Sequence, residues 1–213
     1  MLAALLPLLV ATATADGAAA YFPTKPGTSW TYSEDAGRSH HVFTDKVGKP
    51  AKLLEVDVVP FTSVADGRES EPTFYVVDGD SVFVIFKTVE KTESNGEVVR
   101  TPKTYRYPIV KVAGKPVSWE HFGKTEFMQT SVDMSLKGSS RPIGKRKVLG
   151  REVECVQVDL DVMFGAPGEP PVKSNQRSVY GKGIGLVEMV ETTTVGKQKY
   201  SKKRNLVGMD EPQ

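Results

Sequence analysis

The chain has 213 residues, of which 39% are hydrophobic and 25% charged, with a formal net charge of +2. That length suits a single all-β domain, and the apolar content supports a packed core rather than a disordered chain. So balanced a charge names neither nucleic acid nor a membrane surface as the overall partner. A single cysteine, Cys155, rules out an internal disulfide and a four-thiolate metal site.

The chain opens on a targeting pattern. Residues 2–10 are apolar apart from Pro7, and small residues follow at Ala13-Thr14-Ala15 and Ala18-Ala19-Ala20. An apolar run followed by such small-residue sites is the pattern of a secretory signal, although no Lys or Arg precedes the run. At about a dozen residues the run is shorter than the roughly 20 that a helix needs to cross a bilayer. No cysteine lies near the cleavage region, so a lipid-modified amino terminus is excluded. The pattern predicts a signal peptide over 1–20, cut after Ala15 or Ala20. A single all-β domain over 21–213 follows, exported to the periplasm, envelope or exterior, with no transmembrane segment once the signal is removed.

Beyond this segment no ten-residue stretch carries apolar residues at helical spacing. Alternation and β-branched runs dominate, and they predict strands at 29–33, 40–47, 53–64, 73–78, 81–91, 97–107 and 117–122. Further strands are predicted at 125–136, 145–149, 152–164, 177–180, 186–195 and 199–207. Asp78-Gly79-Asp80 and Asn95-Gly96 sit between apolar runs as hairpin turns, while 138–142 and 165–171 read as the longest loops. Short connections throughout imply antiparallel pairing, because parallel neighbours need long crossovers. From 154 to 164, Val156, Val158, Leu160, Val162 and Phe164 share one face, with Gln157, Asp159 and Asp161 on the other. The hairpin from Phe74 to Val89 is apolar on both faces, with Val82, Val84 and Phe86 opposite Phe83, Ile85 and Val89. That places it centrally, with one side on the core and the other on a second sheet layer or an apolar cavity. The fold expected is all-β: a strongly curved antiparallel meander sheet or an incomplete β-barrel.

Two glycine turns each deliver a tryptophan to the start of a strand. Lys25-Pro26-Gly27 leads to Trp30 and Tyr32, and Ala113-Gly114 leads to Trp119 and His121. Both rings are expected to cap ends of the core. The opening Pro26-Gly27-x-x-Trp30-x-Tyr32, together with Tyr180-x-x-Gly183-x-Gly185-Leu186-Val187, resembles a family of exported bacterial proteins known only as domains of unknown function. That resemblance implies an envelope location and a shape similar to the half-barrels of lipoprotein carriers, and it brings no catalytic residues. The helices with which such carriers cover their barrels have no counterpart here.

Residues able to carry chemistry are scattered. His40 and His41 are adjacent on a strand, face opposite ways and cannot grip one metal, and nothing in the spacing joins either to His121. Cys155 has no histidine nearby in sequence and is expected to be a small buried residue. Gly181-Lys182-Gly183-Ile184-Gly185 lacks the Ser or Thr and the helix of a phosphate loop and reads as a glycine turn with a β-bulge. The carboxylate pairs Asp78/Asp80, Glu55/Asp57 and Asp159/Asp161 share strand faces, but no sugar-binding aromatics are interleaved with them. A basic cluster of Arg141, Lys145, Arg146, Lys147 and Arg151 flanks one turn, and Lys197, Lys199, Lys202, Lys203 and Arg204 crowd the end. Both are expected to guard edge strands against aggregation. No catalytic, cofactor or metal site is predicted. The expectation is a non-catalytic envelope protein, a scaffold or a binder of an apolar ligand or partner protein, against an envelope hydrolase whose site is assembled across strands.

Overall fold

A computed structural model describes residues 17–94, 97–127, 130–166 and 168–212. The predicted apolar targeting run, the Ala15 cleavage site and the Asn95-Gly96 turn lie outside them. After a single 3-10 turn at Ala18–Ala20 the described chain is strand and connecting turns. The strands are β1 (Ser29–Ala36), β2 (Ser39–Val47), β3 (Ala51–Leu53), β4 (Val56–Ala65), β5 (Arg68–Glu69), β6 (Thr73–Asp78) and β7 (Ser81–Ser94). They continue as β8 (Glu97–Lys111), β9 (Val117–Phe127), β10 (Thr130–Val148), β11 (Arg151–Gly165), β12 (Val172–Gly181), β13 (Gly185–Val195) and β14 (Gln198–Asp210).

All pairings are antiparallel and form one sheet in the order β8-β7-β6-β4-β2-β1-β14-β13-β12-β11-β10-β9, with β3 and β5 attached to β4. This is an all-β, nearly closed barrel. It departs from a plain meander at the ends of the chain. A meander would leave its first and last strands as edges, but β1 pairs with β14 along its whole length, from Ser29↔Asp210 to Ala36↔Lys202. The seam falls instead between β8 and β9, which are consecutive in sequence. There side chains replace the ladder. The Tyr107 hydroxyl donates to the Lys124 carbonyl at 2.5 Å, the Trp119 indole N–H to the Pro108 carbonyl at 2.8 Å, and the Ser140 hydroxyl to the Lys111 carbonyl at 2.5 Å. Three donors from one side of the gap or the other satisfy backbone oxygens that a sheet edge would leave bare.

Several expectations are corrected by this arrangement. The stretch 138–142, expected as a loop, lies inside the 19-residue β10. Its glycine serves packing rather than turning, because a Cβ on Gly138 would sit 2.1 Å from Trp119 Cε2. The strand expected at 53–64 is β4 from Val56 to Ala65, preceded by the short β3 with a turn at Leu54, φ 55°, between them. The hairpin β6–β7 turns at Gly79 as expected, with φ 58°, but it is not central: β7 is next to the seam strand β8. Its inner face is core, with Val82 and Val84 buried and Phe86 against the Tyr107 ring at 5.7 Å. Its outer face is partly covered, since Ile85 is buried there at 3% exposure. Phe83 lies under the Arg106 guanidinium at 4.3 Å, Ile85 pairs with Phe74 and Arg106 on the flanking strands, and Val89 is exposed. The basic clusters lie in part on strand ends with a neighbour on one side only: Arg141, Lys145, Arg146 and Lys147 run past the last β9 partner, at Ser140, and Lys199 lies beyond the last β1 partner, at Lys202, whereas Lys203 and Arg204 are paired on both sides.

The main core fills the barrel between β7–β8 and β9–β12, with Tyr107, Leu136, Val158 and Leu160 buried in it. The segment before β1 closes one end. The Ala18 N–H donates to the Gly79 carbonyl at 3.1 Å and the Gly183 N–H to the Ala20 carbonyl at 2.6 Å, which tethers the 3-10 turn to two hairpin turns. Ala18 and Tyr21 are buried in the core and Phe22 packs against it. A second cluster, Val148, Val153, Cys155, Val179 and Ile184, packs where the β10–β11 ends meet the β12–β13 turn.

Candidate functional site

The chemistry-bearing residues singled out from sequence are held apart. His40 Nδ1 lies 2.8 Å from Asp35 on β1, both exposed, while His121 meets the Tyr107 ring edge-on at 5.0 Å. Burial lowers the imidazole pKa of His121. Among the described residues no three His, Cys, Asp or Glu side chains gather as a metal site would require. Cys155 is buried, and that burial pushes its thiol up from the ordinary value, so it is a packing residue poor in thiolate. Asp159 is taken up by Arg177 and Gln157, each at 2.7 Å, and Asp161 by Asn175. Asp57 pairs with Lys52 at 3.4 Å, and Asp78 with Arg106 at 3.4 Å. The two basic clusters meet on Glu188, which lies 3.8 Å from both Arg146 and Lys203.

The residues that do converge were not singled out as a group. Strand alternation sends Trp30, Tyr32 and Glu34 of β1 inward. It sends inward, too, Phe43 and Asp45 of β2, Phe61 and Ser63 of β4, and Tyr75 of β6. Register then sets Tyr180, Met189 and Arg204 of β12–β14 on the same face. Trp30, Tyr32, Asp45, Phe61, Tyr75, Tyr180, Met189 and Arg204 line a cavity of about 270 Å³ together with Phe22 and Pro23 of the amino-terminal plug, while Glu34, Phe43 and Ser63 lie in a shallower groove on the far side of Arg204. The cavity wall is a run of rings. Phe22 is 5.2 Å from Phe61, 5.1 Å from Tyr75 and 6.4 Å from Tyr180 between centroids, and Trp30 stacks on Phe61 at 5.7 Å. The Trp30 indole N–H is held by the Ile184 carbonyl at 2.5 Å, which fixes the ring as a wall.

One end of this apolar space is charged. Arg204 donates through Nε and Nη2 to a single Glu34 oxygen at 3.0 and 2.8 Å, and its Nη1 lies 3.9 Å from Asp45. Its guanidinium also sits over the Phe43 ring at 4.5 Å and the Tyr32 ring at 5.5 Å. Asp45 accepts a hydrogen bond from Ser63. Burial pushes the Asp45 carboxyl up from its ordinary value; the Ser63 and Arg204 contacts oppose the push and Glu34 adds to it. Burial raises the phenols of Tyr32, Tyr75 and Tyr180 as well, so they are neutral hydrogen-bonding groups here. The Tyr32 hydroxyl donates to the Leu186 carbonyl at 3.2 Å and Tyr180 is bonded with Ser178. Tyr75 completes this set of phenols on the cavity wall. Further along the same face Glu191 is closed off by Lys202 at 2.9 Å and Ser174 at 2.8 Å.

A signal for this site was present in the strand periodicity. Phe43-x-Asp45-x-Val47 and Arg204-x-Leu206 each put a charge on an otherwise apolar inward parity. A second, larger groove of about 730 Å³ lies on the surface beside the exposed Phe122 and Met163. Its lining includes Lys124, Asp133, Ser135 and Glu169, with Lys124 and Asp133 paired at 3.8 Å.

No family model matches the chain and no curated protein matches it. Among solved structures, it is similar to a presumed lipoprotein from Parabacteroides distasonis at 12% identity and TM-score 0.48, over 89% of this chain and 98% of that one. It is similar to a presumed exported protein with a YmcC-like fold from Bacteroides fragilis at 11% identity and TM-score 0.49, over 90% and 99% of the two chains. The hypothetical lipoprotein YmcC of Escherichia coli is similar at 11% identity and TM-score 0.33, over 89% and 93%. No helix among the described residues is long and apolar enough to cross a membrane.

Proposed function

We propose that the protein is an exported, non-catalytic binder that takes a small, largely apolar ligand into the barrel between Trp30, Phe61, Tyr75 and Tyr180. The observation that carries this reading is the cavity itself: six aromatic side chains, Phe22, Trp30, Tyr32, Phe61, Tyr75 and Tyr180, wall about 270 Å³ beside Asp45 and Arg204. A core built only for stability closes such a space, because atoms facing a void lose their dispersion contacts. An apolar pocket with a few convergent polar groups is the usual form of a small-molecule site. Export is supported by the apolar run and Ala-x-Ala sites at the start of the chain. Removal after Ala15 fits the plug better than removal after Ala20, since the latter would delete Ala18, which is fully buried and tethered to Gly79.

Protein recovered from the envelope, with an amino terminus expected at Asp16, can be titrated with the neutral dye N-phenyl-1-naphthylamine. Saturable binding at one dye per chain, with quenching of tryptophan fluorescence, is the expected result. A linear, non-saturating response at micromolar protein would sink the proposal and leave a closed scaffold.

A further inference from the structure

We infer that the ligand of this cavity carries a positive charge, an amine or quaternary ammonium group, held by Asp45 against the aromatic wall. The inference rests on the binding role proposed above and adds the chemistry of the ligand's polar end.

The first support is charge accounting. Three ionisable side chains meet at the charged end of the cavity, and two of them already satisfy each other: Arg204 gives both Nε and Nη2 to Glu34 at 3.0 and 2.8 Å. That pair is neutral, with both N–H groups on one Glu34 oxygen. Asp45 is left with a hydrogen bond from the neutral Ser63 and only a long approach, 3.9 Å, to the same guanidinium. The site therefore holds one more negative charge than positive, on a carboxylate whose side chain is 19% exposed. A buried, incompletely paired carboxylate is expensive for a fold to keep and attracts a cation strongly where water is excluded.

The second support is independent of charge bookkeeping. The wall that Asp45 adjoins is aromatic, with Tyr75 and Trp30 both against Phe61 at 4.9 and 5.7 Å. Ring faces attract cations through their quadrupoles, most strongly in a desolvated setting, and repel anions. The fold already uses this attraction nearby, where the Arg204 guanidinium lies 4.5 Å over Phe43. An anionic ligand would meet Asp45 and these ring faces with Arg204 already committed to Glu34. A neutral ligand would leave the Asp45 charge uncompensated. A cationic one satisfies both the carboxylate and the rings.

The test uses matched probes in competition with N-phenyl-1-naphthylamine on the folded chain. Benzyltrimethylammonium and neopentylbenzene have the same shape and differ in charge, and 3-phenylpropanoate supplies the anion. The cation is expected to bind at least about tenfold tighter than its neutral isostere. In the Asp45→Asn variant the ratio of the two affinities should fall to near one. That ratio, measured on one preparation, does not depend on the fraction of protein folded. If the wild-type protein binds the neutral probe as well as the cation, or binds the anion best, the inference is wrong while the cavity remains a binding site. The same holds if the dye binds and no probe displaces it. If the dye itself fails to bind, the binding role falls first and the cation preference with it.

Discussion

The protein's two tryptophans occupy mirror roles at opposite sides of the barrel interior, and the contrast between them separates core from site. Trp119 and Trp30 are both almost wholly buried, at 7% and 3% exposure, and each gives its indole N–H to a carbonyl of a distant segment. Around Trp119 the structure is shaped to fit the ring: Gly138 provides the missing Cβ, and the seam between β8 and β9 closes on the indole. Around Trp30 the structure stops short of closing. One face stacks on Phe61 and another borders a cavity that also holds the Asp45 carboxylate and the Tyr75 phenol. Burial alone treats the two rings alike. What distinguishes them is the space each borders: further aromatic rings wall the one beside Trp30, whereas polar and charged side chains such as Glu120, Lys137, Asp159 and Asp161 line the open groove beside Trp119.

The largest expected effect comes from removing the ring that the seam depends on. Trp119→Ala should lose about 3–5 kcal/mol in chemical denaturation, while the surviving folded fraction still binds the dye. Trp30→Ala should lose less, about 2–3 kcal/mol, since a ring bordering a cavity has contacts on fewer sides, yet it should weaken dye binding markedly. Loss of dye binding in folded Trp119→Ala would show that the two regions are not separable.

A smaller effect should separate the two faces of β7. Phe86 packs on Tyr107 inside the barrel, and Phe83 lies outside under Arg106. Phe86→Ala is expected to lose about 3 kcal/mol and Phe83→Ala under about 1 kcal/mol, with dye binding retained in the latter. Equal losses would mean that the outer face is covered in solution by something these strands do not provide.

The same contrast shows what the sequence could disclose. The all-β class was legible because alternation is local: Val156, Val158 and Leu160 face the core and Gln157 and Asp159 turn away from it in any antiparallel sheet. The two-faced apolar pattern of 74–89 was read correctly as residues, but its position was not. Whether a strand sits at the middle of a sheet or beside a seam depends on the β1–β14 pairing, a contact between the two ends of the chain. The stretch 138–142 has the composition of a loop, yet it pairs with 156–160 of β11, and the Trp119 ring explains why a glycine stands at 138. Asp45 was legible as a charge on an inward parity. Its convergence with Tyr75, Tyr180 and Arg204 was not, because those residues are brought together by register across distant strands.

The smallest expected effect has the opposite sign and bears on what Asp45 is for. Burial holds its folded pKa above the ordinary carboxylate value, with Ser63 and Arg204 only partly opposing. A raised folded pKa means that the native state binds the proton more tightly than the unfolded chain. Stability from this group is then full below the ordinary Asp value of about 3.9 and is lost as pH rises through the folded value. Glu191 behaves oppositely: although burial raises it, Lys202, Ser174 and Thr193 hold it low overall, so its contribution is present at neutral pH and lost as pH falls through that lowered value. Asp45→Asn keeps an oxygen for Ser63 and removes the buried charge. At neutral pH it should therefore match or exceed the wild-type protein in thermal stability, by up to about 1 kcal/mol or roughly 2–4 °C. The difference should shrink as pH is lowered and Asp45 takes up its proton. A residue whose removal stabilises the fold while abolishing preference for a cation is one retained for binding. If Asp45→Asn instead destabilises the protein at neutral pH by more than about 1 kcal/mol, the carboxylate is a structural partner of Arg204 and Ser63, and the contrast between the packed and open ends of the barrel loses its functional meaning.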